Sequence, residues 1–228
     1  MALNFTTTYQ EGMQGGIKCL VYGRSGVGKT RLCATAPAPL IISAERGLLS
    51  LRQYDIPVLR VDNVQDLQDV YHFVSNPNEP KMAAIQTICL DSITEIGEQV
   101  LSAAKVSVKD NRQAYGELIE TMTQLIKNFR DIPGKNVVFI AKQEFSKDEA
   151  TGATKNVPSM PGAKLSQALP YFFDEVFCLR AERDNAGAPV HFLQTLVDFQ
   201  YDAKDRSGAL APSEHPDLSL IFNKILGV

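Results

Sequence analysis

The chain has no tryptophan, and only three histidines and four cysteines in 228 residues. His72, His191 and His215 stand far apart, and Cys19, Cys33, Cys89 and Cys178 form no Cys-x-x-Cys pair. A zinc site needs such residues at close spacing, so the thiols read as reduced, buried side chains and the histidines as structural or solvated ones. No apolar run approaches the roughly 20 residues of a spanning helix. The first twelve residues, MALNFTTTYQEG, lack the basic-then-apolar order of a secretory signal. A cytoplasmic protein without a membrane partner is expected. Positive charge is not in excess either: 23 Lys and Arg against 26 Asp and Glu leave −3, so any nucleic-acid surface must be local. With no internal repeats and 44% apolar residues, the chain reads as one globular domain, 1–228, that needs no staples.

What is present is an alternation of short apolar runs and amphipathic stretches. Residues 17–22 (IKCLVY), 40–43 (LIIS), 58–61, 85–90 (IQTICL) and 136–141 (NVVFIA) read as strands. Helices are expected over 29–35, 48–51, 63–75, 93–106, 116–130 and 216–225, with Asp62 or Asn63 capping the third. Residues 175–180 and 190–197 flank the turn ERDNAGAP as a hairpin. Residues 145–167 are poor in periodicity and rich in small and turn-forming residues. They are expected to form a long loop, of the length that is usually functional. This order predicts an α/β fold: a mostly parallel sheet, helices on both faces, and a C-terminal antiparallel hairpin.

One motif carries specific chemistry. Gly23-Arg24-Ser25-Gly26-Val27-Gly28-Lys29-Thr30 matches G-x-x-x-x-G-K-[ST] in full, after a strand and before a helix. Glycines let the backbone wind round a phosphate chain with its N–H groups facing inward, and the new helix adds its dipole. Lys29 would reach the β and γ phosphates, and the Thr30 hydroxyl would ligate Mg²⁺. A metal held this way needs a carboxylate, and Asp91 ends the strand IQTICL at the edge where a parallel sheet presents its ligand crevice. The other reading of Asp91 is a helix cap, with Ser92 as its rival. Glu45 follows the strand LIIS at the same edge, placed either to orient an attacking water or to sit as an acidic charge at a helix start. Asn-Lys-x-Asp, which reads guanine, is absent, since the only Asn-Lys is Asn223-Lys224, so ATP is the expected nucleotide.

From about residue 17 to 226 the arrangement resembles RecA-like recombination ATPases. More narrowly, it resembles the single-domain phage proteins grouped with single-strand annealing proteins of the Sak type. The resemblance is carried by GRSGVGKT, IISAERG, TICLDS, VVFIAKQ, PYFFDEV and AKDRSG. It implies a RecA-like P-loop NTPase core and a Mg-dependent, DNA-stimulated ATPase acting in annealing or homologous recombination. Glu45 then aligns with the water-activating glutamate. Gln143 aligns with the glutamine that senses the γ-phosphate, or simply ends its strand. Lys204-Asp205-Arg206 matches the pair of cations inserted into a neighbour's nucleotide site within a ring or filament, or is a solvated basic turn. The implied partners are single-stranded DNA, further copies of the chain and a single-stranded-DNA-binding protein, in a bacterial host cytoplasm if the chain is phage-encoded.

The stretch 144–167 occupies the place of the second, mobile DNA-binding loop of that family, with Phe145, Lys147, Lys155 and Lys164 offset by Glu144, Asp148 and Glu149. Charge that balanced cannot bind DNA tightly alone, so stacking by Phe145 would have to contribute. Lys105, Lys109, Arg112 and Tyr115 occupy the place of the first DNA loop. The resemblance is expected not to extend to the long N-terminal segment and C-terminal domain of bacterial RecA; residues 1–15, with Phe5 and Tyr9, are expected to be either an oligomerisation arm or a frayed end. A different class, an ATP-binding assembly switch or loader that scarcely hydrolyses, shares these motifs. A small-molecule kinase would need an arginine-rich lid, and there is no arginine between Arg130 and Arg180.

Overall fold

Apolar runs this short and this continuous suit strands covered on both faces. The computed structural model, which describes residues 5–7, 15–45, 47–147 and 152–228, forms such a sheet between two helical layers. Its strands are β1 (Lys18–Gly23), β2 (Pro39–Ser43), β3 (Val58–Arg60), β4 (Thr87–Asp91), β5 (Asn136–Lys147), β6 (Thr154–Pro158), β7 (Glu175–Arg183), β8 (Pro189–Gln194), β9 (Lys204–Asp205) and β10 (Ser213–Glu214). The parallel core runs β7-β1-β5-β4-β2-β3. β8 and then β10 extend it antiparallel beyond β7, and β9 pairs with the first residues of β7.

The helices are α1 (Lys29–Cys33), α2 (Val64–Ser75), α3 (Ile93–Ser107), α4 (Asn111–Arg130), α5 (Ala163–Ala168) and α6 (Leu218–Leu226). Alternation along each strand sorts the core into two clusters. Leu20, Tyr22, Ile42, Leu90 and Phe139 meet α2, α3, α4 and α5 on one face. Cys19, Val21, Ile41, Cys89 and Phe177 meet α1 and α6 on the other. All four cysteines are free and buried. No helix among the described residues is long and apolar enough to cross a membrane.

Three expectations need correction. The stretch 144–167 is not a long loop: β5 continues to Lys147 and pairs antiparallel with β6, Gln143 opposite Pro158 and Lys147 opposite Thr154, and α5 follows. This ribbon buries little apolar surface, so periodicity could not reveal it. Polar anchors hold it instead: the Asn156 amide N–H donates to Gln200 O at 2.7 Å, and the Tyr22 hydroxyl lies 2.6 Å from Asp202 O and 3.1 Å from Asn156 O. Asp148 and Glu149 lie outside the described residues, as does the 1–15 arm apart from 5–7 and 15. Secondly, α4 begins at Asn111 rather than 116, with the Asp110 side chain accepting from the Arg112 N–H. Ala114, Leu118 and Met122, buried at four-residue spacing, carry the helix back through the polar stretch. Lys105 therefore sits on α3, Arg112 and Tyr115 on α4, and only Lys109 in the connection. Thirdly, α1 ends at Cys33 rather than 35, which leaves it little more than one turn.

Glu175, the first residue of β7, is 2% exposed. One carboxylate oxygen accepts the Ser207 N–H at 3.2 Å, while Oε2 has no hydrogen-bond partner among the described residues. Burial, and then the neighbouring Asp205 carboxylate, push its pKa up to about 7. A folded-state value above the ordinary one means that the native state binds this proton more tightly. The stabilisation is therefore complete below the usual glutamate range and is lost as pH rises through about 7. The melting temperature should fall by roughly 5 °C between about pH 5 and 8.5. In Glu175→Gln, measured by calorimetry, that fall should largely vanish; an unchanged slope would show that Glu175 does not titrate there.

Candidate functional site

Four strands of the parallel core deliver chemistry to the same carboxyl edge. β1 ends in Gly23 and β5 passes it with Lys142 in register, while Ser43 of β2 lies opposite Asp91 of β4. The loop after β1 has Gly26 at φ 76° and Gly28 at φ 102°, in the left-handed region where a side chain is strained. A Cβ on Gly23 would stand 2.5 Å from Leu179 O, so β7 closes against the start of the loop. The Lys29 ammonium folds back to donate to Gly23 O at 2.8 Å and Arg24 O at 2.9 Å. With α1 so short, grip on an anion rests on these loop amides and on Lys29 more than on a helix dipole.

Across the gap above β5, the Thr30 hydroxyl donates to Asp91 Oδ2 at 2.6 Å. The cap question is resolved by the next residue: Ser92, not Asp91, is the N-cap of α3 and accepts the Glu95 N–H. The Ser92 hydroxyl also donates to Glu45 Oε1 at 2.6 Å, and the Ala44 N–H donates to Asp91 O at 2.9 Å. Glu45 thus shares the carboxyl edge with Asp91, its carboxylate held against the N-cap residue of α3. Asp91 is 4% exposed. Its pKa is raised, first by burial and further by the Glu45 charge, against the Thr30 hydrogen bond and Lys29. Burial likewise lowers Lys29, with Asp91 and Glu45 opposing.

A buried carboxylate pushed toward its neutral form and a half-buried ammonium pushed the same way each gain from a counter-charge. For Asp91 that is a cation, and Thr30 beside it completes a pair of hard oxygen donors of the kind magnesium prefers. For Lys29 it is an anion, and positive-φ glycines beside it are what a phosphate cradle requires. The residues fit a magnesium-bound polyphosphate. The cavity they line, about 1000 Å³, continues past the loop to Tyr54, His215 and Pro216.

Gln143 lines the same cavity and donates its side-chain N–H to Asn156 Oδ1 at 2.6 Å. Asn156 belongs to β6, so this bond links the cavity to the ribbon. Beyond the ribbon lies a second groove of about 1300 Å³, lined by Phe145, Lys147, Lys155, Lys164, Tyr171 and Phe199 among others. Phe145, Tyr171 and Phe199 are 69%, 84% and 83% exposed. Lys155 is paired with Asp202 at 2.6 Å. Lys109 and Arg112 line neither cavity.

Lys204 and Arg206 do not reach the chain's own cavity. β9 pairs with Glu175 and Val176, at the opposite end of β7 from the Gly23 loop. Lys204 donates to Pro170 O at 2.8 Å and to Phe173 O, and Arg206 pairs with Asp174 at 2.8 Å. Sequence reasoning missed Tyr54, Lys142, His191 and His215 as cavity residues. The histidines had read as isolated, and their distant positions hid them: His191 comes from β8 and His215 from just before α6.

A family model described as an AAA domain matches residues 15–207, and the chain belongs to that family. No curated protein matches the chain. The fold is that of a P-loop NTPase, and membership makes the chain a nucleotide-binding ATPase of the AAA type.

Lys29→Ala removes both the loop's internal tie and its cation. Nucleotide turnover should fall at least about a hundredfold while the melting temperature moves by only a few degrees. Undiminished turnover in a phosphate-release assay would remove the loop from the site.

Proposed function

We propose that this AAA-domain chain is a Mg-dependent ATPase of the phage RecA-like, Sak type that assembles on single-stranded DNA and promotes annealing or homologous recombination. The observation that carries the proposal is the Gln143–Asn156 hydrogen bond. It ties a residue of the nucleotide cavity to a ribbon whose far side opens on a groove of exposed aromatic rings and lysines. Stacking on such rings is sequence-tolerant, and lysines follow the backbone of a single strand, so a groove of near-neutral charge can still hold DNA.

In this reading the loop amides and Lys29 bind the triphosphate of ATP. Thr30 and Asp91 would hold magnesium, which when bound draws charge from the phosphate oxygens. Glu45, fixed through Ser92, accepts a proton from the attacking water and orients it. Gln143 responds to the γ-phosphate and shifts Asn156, and with it the ribbon and the 198–202 segment that Asn156 holds by its bond to Gln200 O. Lys204 and Arg206 act on the cavity of a neighbouring copy in a ring or filament, where supplied cations neutralise charge developing on the transferred phosphoryl group. Hydrolysis then depends on assembly. A single-stranded-DNA-binding protein is a further expected partner.

Single-stranded DNA should raise steady-state ATP hydrolysis roughly tenfold or more, and Phe145→Ala with Tyr171→Ala should abolish that stimulation while leaving the basal rate. No stimulation, together with no DNA retention at low salt in an ATP analogue, would remove the DNA role. Glu45→Gln should cut turnover by about a hundredfold or more. If the wild-type rate is already negligible and does not change, an ATP-binding assembly switch is the better description. In mixed assemblies, Arg206→Ala subunits should depress hydrolysis at intact neighbouring sites; loss confined to the altered subunit's own site would rule out action in trans.

A further inference from the structure

The phosphate loop is a main-chain device, and its anion affinity depends on which way each peptide faces. α1 receives no side-chain cap, because its N-cap is Gly28. Among the described residues, the side chains bonded to the main chain of residues 23–28 are Lys29, on Gly23 and Arg24, and His191. His191 stands on β8 opposite Ala181 of β7 and lines the cavity. Its Nδ1 lies 3.1 Å from Val27 O. A carbonyl oxygen only accepts, so Nδ1 carries the proton in this contact, whether the ring is neutral or cationic.

The peptide between Val27 and Gly28 is planar and trans, so its C=O and N–H point in opposite directions. Holding Val27 O toward β8 therefore turns the Gly28 N–H away from it. We infer that His191 is a positioning residue which, by fixing the Val27 carbonyl, presents the Gly28 N–H to the phosphates of the bound nucleotide. The inference rests on the nucleotide-binding reading of this loop, and extends it to the C-terminal hairpin. That hairpin already meets the loop once, where Leu179 O closes on Gly23. A glycine at φ 102° has no side chain to restrict it, so an external tie is what keeps this peptide from rotating. Because the fixed group is a binding donor, the effect falls on nucleotide affinity more than on the rate of the bound complex.

Two variants separate positioning from packing. His191→Phe keeps a ring on β8 but cannot donate; His191→Asn places an amide N–H near the position of Nδ1. Titration calorimetry with Mg-ADP should give a Kd about tenfold weaker for His191→Phe, and within about threefold of wild type for His191→Asn. Melting temperatures should agree to within a few degrees, and kcat at saturating ATP should change less than KM. His191→Ala, which removes ring and donor together, carries the same expectation as His191→Phe if the latter does not fold. Wild-type affinity in His191→Phe, equal weakening in His191→Asn, or a loss that follows melting temperature would each overturn the inference. A wild-type chain that takes up no nucleotide fails at the first titration, and overturns the reading of the loop itself and this inference with it.

Discussion

A hydroxyl and a carboxylate, Thr30 and Asp91, meet at 2.6 Å from opposite sides of an intervening strand. That meeting depends on the strand order. β5 lies between β1 and β4, so the loop leaving β1 and the end of β4 face each other across the top of β5. β5 then supplies Lys142 and Gln143 from directly beneath the gap. No single segment contains the site. It exists because parallel strands all point their carboxyl ends at one edge and because helices on both faces hold them in register.

Electrostatics give this convergence its chemical direction. Burial disfavours charge on both Asp91 and Lys29, and each restrains the other only in part. Such groups are unstable alone and favourable with a ligand of the opposite sign, which is the condition a metal–polyphosphate complex satisfies. The Ser92 hydroxyl ties Glu45 to the same edge. At the other end of β7, Glu175 lies opposite Asp205, which stands between Lys204 and Arg206, and the two form a separate acidic pair.

Much of this was legible before the fold was known. The phosphate loop, the strand ending in Asp91 and the glutamate after LIIS are local patterns with local physical causes, and the structure sets all of them on one edge. Strand and helix alternation gave the layers, since burial on both faces leaves continuous apolar runs. Elements held by polar bonds were not legible. The β5–β6 ribbon rests on Asn156, Tyr22 and Gln200, far apart in sequence and without periodicity. The start of α4 was hidden by its polar first turn, although Ala114, Leu118 and Met122 share one face. His191 could not have been found at all, since only the pairing of β8 with β7 brings it to the loop.

The most direct test of the account is a crystal structure of the chain with magnesium and a non-hydrolysable ATP analogue. The account predicts phosphates enclosed by the main chain from Gly23 to Thr30, with the metal beside Thr30 and Asp91 and Glu45 facing the terminal phosphate. Nucleotide bound elsewhere, with that loop left out of contact, would contradict it.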